Sequence, residues 1–569
     1  MAYANPVIPG FNPDPSCILH NGTFYLVTSS FLWFPGIPIY ASKDPRGPWK
    51  HVGNVISRPE QIDLLKCTIS PPGHCGGIWA PTIRFHDGLF YVSVCNVHVQ
   101  YECPDQRKYE NVIFTASDPT GPWSDPVHFT LNGFDTSLFF DTSPNGDGSA
   151  YVQGTSYGSI GWDDAFVPEI LQFKVDLKTG ESLSGPPKCI WKGTGVWVPE
   201  APHIFYRDGY FYLLVAEGGT ELNHQAAMAR SKDLWGPYEG TPNNPLLASP
   251  PSHEVTVDPK HPNYITCTGH ADLFPAEEGD TEKWWACALA VRSGIYSFPM
   301  GRETHVLPVT WKKGEFPVWH GPIKVVMEAE YELIKEEYDG GIRKLKNGEK
   351  KLYNFGTGLL GEVPIDLLFL RNPILDNFKF EGRKASLFGT ENSLDARDGP
   401  ITILGRRQTD VEFAVTVSLS FVPNFGSGEE AGLAVYLDCD KFIPFRIQSA
   451  SSKLSHASTS AVKKGTKRVL RIASGGELCN DASNKYPCFY KELSDDGKVD
   501  LRVIGRRMYY EFWFKEESGE WKEAGRVAAS RVSGGFTGTI IGMFATGNGQ
   551  KSQTPAIFEN YEYECINTH

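Results

Sequence analysis

DPSCILHNGTFYLVTS, residues 14–29, reads as a single β-hairpin. Asp14 to Ser16 lead into the apolar run Cys17-Ile-Leu19. Asn21-Gly22 then supplies a two-residue turn of the kind that needs positive φ at both positions, and Thr23 to Ser29 return as an aromatic-containing strand of period two. The same grammar recurs in APTIRFHDGLFYVSVC from Ala80, DTSLFFDTSPNGDGSAYVQG from Asp135, EAPHIFYRDGYFYLLVAE from Glu200 and HADLFPAEEGDTEKWWACAL from His270. Starts at 14, 80, 135, 200 and 270 give a period of 55 to 70 residues, enough for a four-stranded sheet with its loops. Repetition at that spacing predicts a five-bladed β-propeller. A plain β-sandwich also has regular short strands, but it has no long-period self-similarity.

A second echo supports the repeat. Ser42-Lys-Asp-Pro-Arg-Gly-Pro-Trp49, Ser117-Asp-Pro-Thr-Gly-Pro-Trp123 and Ser231-Lys-Asp-Leu-Trp-Gly-Pro-Tyr238 fall late in blades one, two and four, as one turn used three times. Beyond Pro322 the repeat stops. Residues 323–352 are rich in Lys and Glu and read as a linker or wrapping segment between a propeller over 1–322 and a second domain over 353–569. In that second part, Val411–Phe421, Ala431–Tyr436 and Tyr509–Phe514 alternate with period two, the pattern of an antiparallel, jelly-roll-like β-sandwich. The fold class is therefore all-β. With 569 residues, 41% hydrophobic and 13% aromatic, the chain has enough material for two packed cores.

A net charge of −13 argues against a nucleic-acid backbone as partner, and no apolar run approaches the roughly 18 residues of a membrane-crossing helix. The signs of compartment conflict. The Asn21-Gly22-Thr23 sequon, and the loop pairs Cys67/Cys75 and Cys479/Cys488 if they close short disulfides, favour an extracellular setting; read as free thiols, and with no secretory leader in the chain as given, they fit the alternative, a cytoplasmic one.

The first strand of each propeller blade borders the central channel, so equivalent strand starts converge near its axis. Asp14, Ala80, Asp135, Glu200 and His270 occupy those starts, which gathers three carboxylates and a histidine in one funnel. Taken singly, Asp14 between prolines reads as a turn residue, Asp135 as a strand cap and His270 as a core histidine. Their shared register in the repeat makes them a constellation. Crowded buried carboxyl groups must spread their pKa values, and one ionised and one protonated carboxyl across a cleft are what glycosidic cleavage uses. No Ser or Cys at these positions is set up for acyl transfer, and no phosphate-binding loop occurs.

These residues sit in motifs that resemble glycoside hydrolase family 43, the β-xylosidases and α-L-arabinofuranosidases. The likeness covers about residues 5–322 and includes Gly10–Ser16, Phe31–Gly36, Gly77–Pro81, Gly133–Phe139, Glu200–His203, Ala216–Thr220, Gly269–Leu273 and Gly301–Thr304. It implies inversion of configuration with Asp14 as general base, Glu200 as general acid and Asp135 modulating and orienting the acid. It also implies that Arg302 binds the terminal sugar, with Trp33, Trp79 and Thr220 lining its pocket; Trp79 as core packing is the alternative. No cofactor is required, but His270 resembles a channel histidine beside a water-held calcium or sodium ion. Thr136, Ala201 and Ala271 depart from the family's usual Pro, Gly and Gly.

Tyr151–Gly154 and Ala229–Pro237 resemble fungal-type arabinofuranosidases. The expected activity is exo-release of terminal α-L-arabinofuranosyl units from arabinoxylan or other hemicellulose-derived oligosaccharides, with or without β-xylosidase activity. A dedicated β-1,4-xylosidase is the alternative, and a non-catalytic sugar-binding propeller the third reading. The second half resembles the family's C-terminal sandwich, which lends a loop to the pocket rim, or else is an independent carbohydrate-binding module.

Overall fold

The computed structural model describes residues 2–70, 74–100, 103–157, 168–249, 264–279, 281–292, 298–328, 347–357, 362–450, 468–472, 489–494, 496–517 and 519–566. Among these the regular elements are strands and short 3-10 turns. Five separate antiparallel sheets run in chain order. Their first strands are Ser16–His20, Gly77–His86, Phe134–Phe140, Glu200–Arg207 and Ile265–Pro275. These strands touch one another around a closed ring, the last returning to the first, which defines a five-bladed propeller.

The turn chemistry read from the sequence is realised. Asn21-Gly22 (φ 49° and 63°), Asp87-Gly88 (46° and 79°) and Asp208-Gly209 (51° and 76°) all have two left-handed residues, as two-residue hairpins require. The thrice-used motif is one structure three times. The indole Nε1 of Trp49 donates to the Pro45 carbonyl at 3.0 Å and that of Trp123 to the Pro119 carbonyl at 3.2 Å, while the Tyr238 hydroxyl donates to the Leu234 carbonyl at 3.1 Å.

Ring closure uses the N-terminus. Asn5 exchanges two hydrogen bonds with the backbone of Val306, at 2.9 and 3.0 Å, and Ala2–Ala4 pairs with Val326–Glu328. The segment after the propeller thus begins by strapping residues 2–4, and it ends by pairing Lys350–Leu352 with residues 562–564 of the second domain.

That domain is two packed antiparallel sheets, the sandwich expected from the period-two pattern. Its joint to the propeller is a shared core. The propeller's own Trp33–Phe34 pairs with Leu367–Leu370 and forms the outermost strand of one sandwich sheet. Phe31, Phe34 and Ile56 from the propeller share one apolar cluster with Phe369, Leu404 and Phe544 from the sandwich. Arg371 is fully buried between the two and donates to the carbonyls of Cys67 (2.8 Å), Ala396 (3.1 Å), Arg397 (2.6 Å) and Gly399 (3.1 Å). A guanidinium buried without an ion pair among the described residues is tolerated because its donors are taken up in this way. The second domain is therefore not an independently hinged module.

Cys67 and Cys75 are buried free thiols, so the loop disulfide allowed by their spacing is absent; the Cys67 Sγ instead lies 3.4 Å from Oδ1 of Asn96. The pair Cys479 and Cys488 lies outside the described residues.

Candidate active site

The strand starts carry a backbone device that the sequence shows only in part. Asp14 (φ 55°), Ala80 (43°), Asp135 (52°), Ala201 (52°) and His270 (45°) are all left-handed. In blades two, three and four the residue lies in a β-bulge: Ala80-Pro81, Asp135-Thr136 and Ala201-Pro202 each stand opposite a single residue of the next strand. Bulges re-aim side chains, and here they turn the strand starts towards the channel. The repeat places Glu200 among the equivalent residues, and the backbone corrects this. The fourth equivalent is Ala201, and Glu200 matches Trp79 and Phe134, each one position earlier. All three of those side chains line one cavity of about 470 Å³ at the end of the channel, together with Asp14, Asp135, Thr220, His270 and Arg302.

Asp14 is 4% exposed and accepts hydrogen bonds from Ser29 Oγ at 2.6 Å and Arg302 Nη1 at 3.0 Å; His270 Nδ1 lies 3.6 Å away. Burial alone would raise its pKa, but Arg302, His270, the Ser29 hydrogen bond and His224 together outweigh burial and hold it below the usual carboxylate value. Glu200 is displaced the opposite way. Burial, then the charge of Asp14, push its pKa up to about 7 against the opposing pull of Arg302. Its Oε1 is buried without a hydrogen-bond partner among the described residues. Asp135 is raised well above the carboxylate range by burial, Glu200 and Asp14, in that order. Asp14 is thus drawn towards its charged form, and the crowded pair Glu200 and Asp135 towards the protonated form. A buried carboxylic acid with a free oxygen facing a cavity is a proton donor awaiting an acceptor.

Arg302 links the parts. Gly301 precedes it at φ 70°, where an added Cβ would stand 2.6 Å from the Thr537 carbonyl, so the close approach of the sandwich backbone needs glycine at this position. Arg302 Nε donates to the Phe536 carbonyl at 3.1 Å, and the guanidinium lies over the rings of Phe31 and Phe536. Phe536, from the sandwich, closes one wall of the cavity.

Residues 3–317 match the sequence family described as Glycosyl hydrolases family 43, and residues 360–564 match the Beta xylosidase C-terminal Concanavalin A-like domain. The chain belongs to glycosyl hydrolases family 43. A non-reducing end alpha-L-arabinofuranosidase of Bacteroides ovatus is 33% identical over 99% of this chain and 95% of its own length. A xylosidase/arabinosidase of Butyrivibrio fibrisolvens is 31% identical over 99% of both. The crystal structure of a xylan beta-1,4-xylosidase from Bacillus halodurans superposes with a TM-score of 0.80 at 27% identity, covering 99% of this chain and 100% of the other. The protein is a family 43 glycoside hydrolase with the family's propeller and C-terminal sandwich.

Most of the residues expected at the family 43 site meet there: Asp14, Asp135, Glu200, Trp79, Thr220, Arg302 and His270. Trp79 lines the pocket while packing against two apolar clusters behind it, and its indole Nε1 is buried without a hydrogen-bond partner among the described residues. Trp33 does not line the pocket. It is 1% exposed and packs edge-on against Tyr436 of the sandwich, because its strand serves the domain joint. Phe31 of the same motif takes the pocket position, turned inward by a left-handed backbone (φ 49°). The Thr136 departure has a use, since its hydroxyl lies 2.8 Å from Ser93 Oγ, a contact proline lacks.

The resemblance also implied a cation near His270. Among the described residues no three His, Cys, Asp or Glu side chains converge to hold a metal. The neighbouring carboxylate, Asp272, is fully buried and already engaged by Arg84 at 2.9 Å and Ser16 at 2.7 Å, and Arg84 also reaches His203 Nδ1 at 3.1 Å. The positive charge in the channel is a guanidinium. Asp272 is thus taken up by Arg84, and the ion that the resemblance implies would be held by the His270 imidazole and water.

Phe31, Phe536, Tyr157, Arg107 and Trp197 also line the pocket and were not anticipated. Phe31 opens the Phe31–Gly36 motif. Phe536 comes from the other domain and carried no local signal.

Proposed function

We propose that the enzyme removes terminal α-L-arabinofuranosyl units from arabinoxylan or arabino-oligosaccharides, and β-xylosyl units through the same pocket, with inversion of configuration. The observation that carries this reading is the opposite displacement of two carboxyl groups in one cavity, Asp14 pulled towards its ionised form and Glu200 pushed up to about 7, so that it still carries a proton where Asp14 does not. Asp14 takes a proton from water as the water oxygen bonds to the anomeric carbon. Glu200 gives its proton to the glycosidic oxygen as the carbon–oxygen bond breaks. One water is consumed, a free sugar and a free alcohol leave, and proton exchange with solvent resets both groups. Inverting pairs work through such an intervening water, whereas retaining pairs attack the sugar directly. Asp135 is crowded by burial, Glu200 and Asp14, which push it towards its neutral form and so limit the negative charge beside the acid.

Exo action is supported by the shape of the cavity. Its volume, about 470 Å³, sits towards the low end of the roughly 300–1,000 Å³ of small-molecule sites, and Phe536 closes one wall. The dedicated β-1,4-xylosidase reading has support too, in the likeness of the whole chain to the xylan beta-1,4-xylosidase structure. Rates on nitrophenyl α-L-arabinofuranoside and nitrophenyl β-D-xylopyranoside separate the two. Comparable rates, or arabinofuranoside ahead, support the broader activity; a xylopyranoside rate ahead by orders of magnitude overturns it. Proton NMR of the first-formed anomer on arabinoxylan fragments tests inversion and reports the sugar released.

A further inference from the structure

Trp197 is 67% exposed, the second most exposed large apolar side chain among those described, yet it lines the mouth of the catalytic cavity. A single exposed apolar side chain is ordinary on a protein surface, but this one stands against the cavity on a loop that is held in place. This loop is held at two points. At its base, Thr194 donates to the fully buried carboxylate of Glu217 through its backbone N–H and its hydroxyl, both at 2.6 Å. At its tip, the Trp197 carbonyl accepts the Gly218 N–H at 2.7 Å. The ring lies on Gly219, where an added Cβ would stand 2.7 Å from Cζ3 of the indole, so glycine there is what lets the ring settle against the backbone. Val198, a β-branched residue at φ 47°, follows directly and also lines the cavity. Left-handed β-branched residues are rare and persist where the surroundings enforce them, commonly at functional sites. Glu200 comes three residues after Trp197.

The acid must touch the oxygen that joins the two halves of the substrate. The departing half therefore lies on the solvent side of Glu200, where this loop stands. We infer that Trp197, seated on Gly219, is the platform on which the leaving-group sugar stacks, so that it governs which aglycones are cleaved and not which terminal sugar is bound. The inference rests on Glu200 being the acid. Aromatic faces accept the flat apolar face of a sugar ring with few ordering costs, since the indole has only two side-chain torsions to fix.

The test compares two substrates that share the terminal pentose the wild type prefers. One is the disaccharide, and the other is the glycosyl fluoride, whose leaving group has no ring and needs little protonation. For Trp197→Ala, the ratio of kcat/KM on the disaccharide to that on the fluoride should fall at least tenfold, and Trp197→Tyr should restore it to within threefold of wild type. A fall of less than threefold in Trp197→Ala, or an equal loss on both substrates, overturns the platform. Thermal melting of both variants confirms folding, which the exposure of the side chain favours. Glu200→Gln run on the same pair checks the underlying assignment separately. If Glu200 is the acid, its loss falls mainly on the disaccharide; an equal loss on both refutes the acid role without bearing on the Trp197 ratio.

Discussion

Arg302 Nη1 lies 3.0 Å from Oδ1 of Asp14, and both side chains are almost completely buried. This ion pair is the main reason why Asp14 stays ionised against the cost of burial, and the same guanidinium also moderates Glu200 and Asp135. Arg302→Ala should therefore move both limbs of the pH–activity profile to higher pH. Losing a charged hydrogen bond worth about 1.5–3 kcal/mol should cost about 10- to 150-fold in kcat/KM. Arg302→Lys keeps the charge but not the fork, and should restore the profile more fully than the rate. Steady-state kinetics across pH check both.

The wild-type profile of kcat/KM should be a bell. Activity needs Asp14 without its proton and Glu200 with one, so the acid limb lies below the ordinary carboxylate range and the basic limb falls tenfold per pH unit above about 7. Glu200→Gln should remove the basic limb and lower the rate on oligosaccharides by about 10²- to 10⁴-fold. A basic limb that survives this substitution would assign the acid elsewhere.

Phe536 supplies a ring to the pocket wall and a carbonyl to Arg302. Phe536→Ala removes only the ring, so KM should rise several-fold with a smaller change in kcat. A chain ending at Pro322 should be inactive and aggregation-prone, because Phe34, Ile56 and their neighbours would lose the sandwich half of their core. Activity and light scattering of the truncated protein decide this.

Arg84 supplies the cation that Asp272 needs in the channel. Dialysis against a chelator should leave kcat within about twofold of its starting value. Arg84→Met should lower the thermal midpoint, since stranding a buried charge costs about 3–5 kcal/mol. In the native protein burial alone would raise the Asp272 pKa, but Arg84, His203 and the hydrogen bonds from Arg84 and Ser16 together hold it below the usual carboxylate value, so the pair's stabilisation is present above that usual value and lost as pH falls through the lowered one. In the variant the stranded Asp272 titrates upward, so the deficit should shrink on acidification. Melting curves at neutral and acid pH report the difference.

The sequence spoke most clearly where a local rule repeats. Five hairpins, three with Asn-Gly or Asp-Gly turns, announce the propeller because each turn dictates its own backbone. Asp14, Asp135 and Glu200 were legible through the same repeat, although Ala201, not Glu200, takes the equivalent backbone position, and only coordinates reveal a one-residue offset across a bulge. Trp33 and Phe31 show the limit. Both are aromatic and two residues apart in one motif, so nothing local tells which faces the sugar and which serves the domain joint. Cys67 and Cys75 lie close in the chain, but a disulfide depends on side-chain geometry and not on spacing alone. Phe536 has no local signal at all, since its role comes from packing against Arg302, 234 residues earlier.

That long-range contact also sets a schedule for synthesis. At roughly 5–20 residues per second, a ribosome takes on the order of 10 to 50 seconds to pass from Arg302 to Phe536. During that interval a nascent propeller can be complete in all five blades and still have an open pocket wall, an unseated Arg302 and an unpaired Trp33–Phe34 edge. The site is finished only once Phe536 has emerged and docked, so catalytic competence arrives with the joint between the domains and not blade by blade.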